Sequence, residues 1–562
     1  MKADSKKRSV LFIGIISVAA FVLLLFENTI FGLRWASAFR VANLAVWTIY
    51  IVDVLWCFRS APDKTVHLRG HWYEAIVFVP VIQYFVGAEH GSLYTITRQI
   101  VIVAMLLSRI SRIRGLLSLL ALKPAQLMLM GFSGAIGVGT VLLMLPAATV
   151  SGARMPLVDA LFTATSAVCV TGLIVQDTAT YFSAFGQAVV LALIQVGGLG
   201  IMTFSVALVA LLRKRMDLRQ RVMMQGALDH DTVSGVRGMV RFIVLMTLWF
   251  EVAGALLLFV SWHGRLESLP SAVWHSLFHS VSAFCNAGFS TFSDSISGFR
   301  DSPAVNAVIA ALIVSGGLGF PVIRDFQCRL RHSAEGNRKA RLRVQTKTVL
   351  TVSVTLILGG AALIYLKERT GLLGDMSTAD AIMASVFQSV TARTAGFNTV
   401  DIGSFSPAVL LVIIALMFIG ASPGSTGGGI KTTTVAALWA AIAASLRNRP
   451  HVELYRRTLQ SATVYRALAV LCISLLLVTA FACALLCTED APFTDVLFET
   501  VSAFGTVGLS TGLTPHLSRA GRLLIVLLMF IGRLGPLTIA YAMLPARAPV
   551  RYKYAEERMM IG

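Results

Sequence analysis

Ser166-Ala-Val-Cys-Val-Thr-Gly-Leu173 has three counterparts further along the chain. They are Ser282-Ala-Phe-Cys-Asn-Ala-Gly-Phe289, Val390-Thr-Ala-Arg-Thr-Ala-Gly-Phe397 and Ser502-Ala-Phe-Gly-Thr-Val-Gly-Leu509. Their glycines, Gly172, Gly288, Gly396 and Gly508, are 116, 108 and 112 residues apart. A near-constant long period carrying one local pattern marks duplicated structural units. Each turn directly follows an apolar stretch (157–168, 270–284, 379–392 and 492–504) that is too short to cross a membrane. Each such stretch lies between two segments that are long enough, since a crossing helix needs about 20 predominantly apolar residues. The repeated unit is span, half-helix, glycine turn, span.

Composition agrees. Of 562 residues, 56% are hydrophobic and only 14% charged, against roughly 25% charged in a soluble protein. A soluble enzyme, a disordered chain and a disulfide scaffold are excluded, and no Cys-x-x-Cys pair supports a zinc or redox site. Apolar spans fall at 10–33, 41–58, 72–87 and 94–110, then at 126–146, 185–212, 238–262, 304–323, 348–366, 407–446 (interrupted), 464–487 and 520–544. The expectation is twelve crossings in an all-α polytopic membrane protein. The net charge of +20 reflects basic clusters at 1–9, 59–69, 109–123, 213–221, 324–347, 447–457 and 547–558. With the N-terminus inside, all seven fall on the cytoplasmic side, as the positive-inside rule requires. The excess of Lys and Arg therefore reads as topology and not as nucleic-acid binding.

Non-helical backbone is tolerated at membrane depth only where it is buried in protein or lines a wet cavity. Four glycine turns about one axis would aim rings of carbonyl oxygens at a point, and such rings replace the hydration shell of a monovalent cation. Glycine permits the positive φ that turns successive carbonyls inward, and half-helices presenting their C-terminal ends add negative dipole. The turns are neutral apart from Arg393, so backbone oxygens would provide the selectivity.

At these residues the chain resembles the Trk/Ktr/HKT superfamily of potassium uptake proteins, most closely the KtrB-type membrane subunit. The resemblance covers roughly 123–562. It includes the Ala167-Val-Cys-Val-Thr-Gly-Leu173 turn, Gln195-Val-Gly-Gly-Leu-Gly200, Thr394-Ala-Gly-Phe-Asn398, Pro423-Gly-Ser-Thr-Gly-Gly-Gly-Ile-Lys431 and the tail Glu556-Glu-Arg-Met-Met-Ile-Gly562. It implies four membrane-pore-membrane repeats, arranged like a tetrameric potassium channel: 123–222, 223–340, 341–455 and 456–562, preceded by a four-helix extension at 1–122. It also implies a K⁺ selectivity filter of Val170, Thr171, Gly172 and Leu173; Asn286, Ala287, Gly288 and Phe289; Thr394, Ala395, Gly396 and Phe397; and Thr506, Val507, Gly508 and Leu509. A sodium-selective plant branch often carries serine at the first filter glycine. Glycine at all four positions favours potassium.

Residues 420–429 hold five glycines and a proline and cannot continue a straight helix. They read as a loop below the filter that blocks the path and moves aside, and the resemblance implies the same role. The alternative is a packing kink. The gate residues are Gly420, Ser422, Gly424, Ser425, Gly427, Gly428, Gly429 and Arg533. The stretch misses the nucleotide P-loop pattern, because Ile430 precedes Lys431 and no strand leads in. Arg533 lies within the last span, where an arginine at a helix centre costs about 2.5–3.5 kcal/mol on insertion scales and is a functional candidate by default. By resemblance it faces the pore and bonds to loop carbonyls; the alternative is snorkelling to the interface. Lys431 lies either near the same cavity or at the helix exit.

The first four spans resemble in outline the voltage-sensor-like bundle of cation channels. Asp53 and Glu74 are possible partners for Arg98, Arg109 and Arg112 on the fourth. The gap between Arg98 and Arg109 breaks the every-third-residue spacing of a working sensor, so packing is the favoured reading and regulatory sensing the alternative. The resemblance further implies a homodimer with a cytosolic nucleotide-binding regulatory ring (KtrA/TrkA type). The basic loops face that ring or anionic membrane lipids, with no nucleic acid and no cofactor in this chain. Potassium is the expected substrate and sodium or protons are the candidate coupling ions. The expected location is the bacterial inner membrane, with both termini cytoplasmic. An enzyme is disfavoured by the absence of His-Glu-x-x-His and Asp-rich metal motifs. A voltage-modulated cation channel and a sodium-permeable transporter are the competing functions.

Overall fold

The computed structural model describes residues 124–214, 233–266, 268–334 and 342–543, with a few isolated positions elsewhere. The first four expected spans, with Glu74 and the arginines assigned to them, lie outside the described residues, as does Asp53.

Helices α1 (Pro124–Leu143), α4 (Val233–Trp262), α8 (Val344–Glu368) and α12 (Ser461–Thr488) open the four repeats. Each is long and apolar enough to cross a membrane. Each is followed by a half-helix: α2 (Leu157–Val168), α5 (Leu269–Cys285), α9 (Thr378–Thr391) and α13 (Phe493–Gly505). These end where the short apolar stretches end in the sequence, three to five residues before the glycine. The second crossings begin with α3 (Ala184–Lys214), α6 (Pro303–Leu318), α10 (Pro407–Phe418) and α14 (Arg519–Leu534).

Two of these crossings depart from the expected straight spans. After α6 the chain turns by 96° into α7 (Phe320–Ala334), and after α14 it turns by 92° into α15 (Pro536–Met543). The breaks are at Gly319 and Gly535, with φ of 85° and 83°, a left-handed conformation that favours glycine. Pro321 and Pro536 then start the next helix, where proline's missing N–H is tolerated. The sequence cue is Gly-Phe-Pro at 319–321 and Gly-Pro at 535–536. In the third repeat, α10 stops at Phe418 and α11 (Thr432–Leu446) resumes beyond the glycine loop. The basic cluster at 447–457 overlaps a short hairpin, β1 (Glu453–Leu454) with β2 (Arg457–Thr458).

The chain forms two compact units. Among the described residues, one takes in 136–164 and 176–190; in it, Ser183 N–H donates to Ala148 O at 3.0 Å and Val150 N–H to Tyr181 O at 3.0 Å. The other takes in 124–135, 165–175 and the described residues from 191 onward, including all four glycine turns. Within it the start of the second crossing is tied to the end of the first in two repeats. Glu368 accepts from Ser406 N–H (3.0 Å) and Ser406 Oγ (2.5 Å). Glu489 accepts from Ser518 N–H (2.9 Å) and Ser518 Oγ (2.5 Å). Each carboxylate satisfies donors at the start of a helix, where backbone N–H groups have no partner within the helix. The described cysteines from Cys169 onward are free thiols.

Candidate ion-conducting site

Two residues before each glycine the backbone enters the left-handed region: Val170 (φ 54°), Asn286 (60°), Thr394 (79°) and Thr506 (50°). The glycines follow at 92°, 70°, 79° and 88°. Positive φ in β-branched residues is strained and persists only where the surroundings over-determine it. Here three turns share one bond that reverses the chain at the end of the half-helix. Thr171 N–H donates to Ser166 O (2.8 Å), Ala287 N–H to Ser282 O (2.7 Å) and Val507 N–H to Ser502 O (2.9 Å). Ser282 Oγ and Ser502 Oγ then donate to Phe289 O and Leu509 O at 2.7 and 2.6 Å, while Ser166 Oγ accepts from Gly172 N–H at 3.1 Å. The third turn has Val390 in place of the serine, and its Ala395 N–H donates to Thr391 O at 2.9 Å.

The four turns close on one another. A methyl group on Gly172 would overlap Ala287 O; on Gly288 it would lie 2.7 Å from Ala395 O, on Gly396 2.5 Å from Val507 O, and on Gly508 it would overlap Thr171 O. Each glycine thus abuts the carbonyl preceding the glycine of the next repeat, and the fourth returns to the first. Only residues without a side chain permit that ring. Ala287, Ala395, Val507 and Thr171 are fully buried, as are Leu173, Phe289, Phe397 and Leu509 behind them. The Asn286 amide joins two turns: its nitrogen faces Ile313 O and Ala283 O at 3.2 and 3.0 Å, and its oxygen accepts from Thr394 Oγ1 at 3.3 Å.

The glycine loop after α10 sits against this ring. Gly428 N–H donates to Thr506 Oγ1 at 3.1 Å, and a methyl on Gly427 would overlap Thr394 Oγ1. Backbone bonds fasten the loop to α6 and its end: Ser422 N–H to Gly317 O (3.1 Å), Thr426 N–H to Gly316 O (3.3 Å) and Phe320 N–H to Gly424 O (3.1 Å). Thr426 Oγ1 donates to Phe284 O at 3.3 Å, and Ser425 Oγ to Ser422 O at 2.6 Å. Gly420 and Gly429 pack together at the neck of the loop.

Three cations donate to loop carbonyls. Arg533, buried in the last turn of α14 and not at a helix centre, donates from Nη1 to Thr426 O and from Nη2 to Gly197 O (2.9 Å). Lys431 N-caps α11 and donates from Nζ to Gly427 O and Gly428 O at 2.6 and 3.3 Å, so it belongs to the loop and not to the helix exit. Buried Arg393 donates from Nη2 to Gly420 O at 3.4 Å. Glu251, buried within α4, accepts from Gln195 Nε2 at 3.1 Å, and Cys285 Sγ lies 3.9 Å from its other oxygen. It has no sequence signal beyond being an acidic residue inside the 238–262 span. Among the described residues no cluster of three or more His, Cys, Asp or Glu could hold a metal ion.

Paired crossings around four re-entrant turns define a class of membrane transport proteins. The chain matches the TrkH family, described as cation transport proteins, over residues 128–549, and it belongs to that family. It is 41% identical to the Ktr system potassium uptake protein B of Bacillus subtilis, over 75% of this chain and 92% of that one. It is also 41% identical to the protein of the same name from Vibrio alginolyticus (78% and 94%) and 38% identical to the potassium/sodium uptake protein NtpJ of Enterococcus hirae (78% and 98%). The crystal structure of the potassium transporter TrkH from Vibrio parahaemolyticus shares the fold, with a TM-score of 0.62 at 17% identity over 95% of this chain and 99% of that one.

Proposed function

We propose that this protein takes up potassium across the bacterial plasma membrane. In this reading the glycine ring is the selectivity filter and the 420–429 loop is the gate beneath it, with Arg533 holding the loop shut. The observation that carries the reading is the cyclic approach of Gly172, Gly288, Gly396 and Gly508 to the carbonyls of Ala287, Ala395, Val507 and Thr171. Neutral backbone oxygens brought into one small ring suit a dehydrated alkali cation. The half-helix C-terminal ends, three to five residues from each glycine, add partial negative charge. Potassium in particular is supported by the names of the Bacillus and Vibrio relatives.

The chain has no catalytic role in this reading. Its four repeats run 123–222, 223–340, 341–455 and 456–562, both termini are cytoplasmic, and sodium or protons are the candidate coupling ions. It works as a dimer on a cytosolic nucleotide-binding ring, with its basic loops turned to that ring and to anionic lipid. The name of the Enterococcus relative, potassium/sodium uptake protein, favours one second reading, a sodium-permeable transporter. Expression in a potassium-uptake-deficient bacterium tests both. Growth at limiting potassium, with rubidium entering in strong preference to sodium, is the expected outcome. Failure to restore growth by a chain that reaches the membrane would overturn the first reading, and equal sodium entry would favour the second.

A further inference from the structure

Arg393 occupies the position three before the ring glycine. The other turns have Cys169, Cys285 and Gly505 there, and all three make the same positive-φ step and the same glycine–carbonyl contact as the third turn, which differs only in its reversing bond. The turn therefore does not require an arginine, and a buried guanidinium without a carboxylate partner carries a large desolvation cost. Among the described residues Arg393 forms no ion pair; its side-chain bond is to Gly420 O at 3.4 Å, and its Nε has no hydrogen-bond partner.

What sets the third repeat apart is its second crossing. In the other repeats a glycine of that helix packs directly on a half-helix carbonyl. A methyl on Gly197 would overlap Val168 O, one on Gly316 would overlap Phe284 O, and one on Gly532 would overlap Phe504 O. The corresponding glycine of the third repeat, Gly420, instead packs on Gly428 O and gives its own carbonyl to Arg393. The guanidinium thus stands where helix would otherwise meet turn. Arg393 and Ala421 also border a cavity of about 20 Å³, so the neck of the loop is not packed solid around the side chain.

We propose that Arg393 is a positioning residue that clamps the neck of the glycine loop to the third turn, as Arg533 clamps its tip at Thr426. The proposal rests on the reading of the loop as a gate. The neck is closed on itself by Ile430 N–H donating to Phe418 O (3.3 Å) and Thr432 N–H to Ala421 O (3.4 Å), and the Arg393 bond adds a tie from that neck to the third turn. Fastening Gly420 to the turn stabilises the lowered arrangement and ties its position to the backbone of one filter turn. Arginine suits the task, because its planar fork reaches a carbonyl from a buried site and stays charged there.

The test uses the full chain in a potassium-uptake-deficient bacterium. It reads the initial rate of rubidium uptake per amount of protein in the membrane, together with rubidium-over-sodium discrimination in the same cells. Loss of this one long bond is expected to raise resting uptake by about two- to tenfold in Arg393→Gln. Arg393→Lys, which keeps the charge but not the reach, should fall between that variant and the unchanged chain. Discrimination should be retained in both. If the glutamine variant does not accumulate, the lysine variant decides by the same criterion. Unchanged uptake overturns the clamp, as does a rise shared equally by sodium, which would make Arg393 a support of the turn alone. Arg533→Ala in parallel separates the two levels. If it raises uptake while Arg393→Gln does not, only the neck clamp fails; if neither does, the gate reading itself fails.

Discussion

Val170, Thr394 and Thr506 are β-branched, yet all three adopt positive φ. This strain, of order 1–3 kcal/mol each, is held by the reversing bonds of the turns and by the closed ring they form. The glycines that follow have no spare volume, which makes them sensitive single residues. Gly172→Ser puts a Cβ against Ala287 O and must shift the ring. Flux should persist while discrimination of rubidium against sodium weakens, as measured by paired uptake in cells. Arg533 contrasts with it. Its two carbonyl bonds are charge-assisted, each contributing about 1.5–3 kcal/mol. Arg533→Ala should therefore raise potassium flux at least roughly tenfold with discrimination unchanged. The same uptake assay checks it, and a folded variant with unchanged flux would assign this arginine a structural role.

Among elements, the glycine loop differs most from its counterparts. It lacks regular structure, yet backbone, hydroxyl and cation bonds fasten it to α6, to the ring and to α14. Those partners lie on separate helices, so the loop reports their relative positions. Shortening it by deleting Gly424–Gly428 removes Thr426 O, the acceptor for Arg533, and should raise flux as Arg533→Ala does, again without loss of discrimination. The junctions between crossings are a matter of stability. Glu368 is buried and receives Ser406 N–H, Ser406 Oγ and Leu372 N–H. Glu368→Ala leaves those donors without an acceptor, at a cost on the order of 2 kcal/mol or more. A lower midpoint of thermal unfolding in detergent, with discrimination intact, is the expected result.

In the molecule as a whole, four sequence-distant turns meet in one ring, so ring geometry and global folding are coupled. A cation bound there binds the folded chain and not the unfolded one, and stabilises it by mass action, by about 2.7 kcal/mol at one hundred times its dissociation constant. Potassium or rubidium should raise the unfolding temperature more than sodium at equal ionic strength, and Gly172→Ser should narrow the difference. A calorimetric or light-scattering melt in each salt would show it. Glu251 belongs to the same scale. Its partners Gln195 and Cys285 come from α3 and α5, so this buried carboxyl joins the first repeat to the second.

The sequence by itself determined the class of protein, the order of crossings and half-helices, and the register of the four turns. These follow from local quantities: the length of an apolar run against bilayer thickness, the conformations open to glycine and proline, and a period that repeats. That is why Leu157–Val168 and Phe493–Gly505 fall where the short apolar stretches do. The sharp breaks at Gly319 and Gly535 were present as Gly-Phe-Pro and Gly-Pro, but hydropathy, which averages over a window, runs straight through them. Only the tertiary structure decided which glycine abuts which carbonyl, that Lys431 turns back onto Gly427 and Gly428, that Arg533 reaches Thr426, and that Arg393 ends on Gly420. Those partners lie up to 337 residues apart in the chain, as Gly508 and Thr171 do, or point in directions set by a break in a helix. A buried cation's role depends on the acceptors that folding brings to it, and no local pattern in the chain encodes that choice.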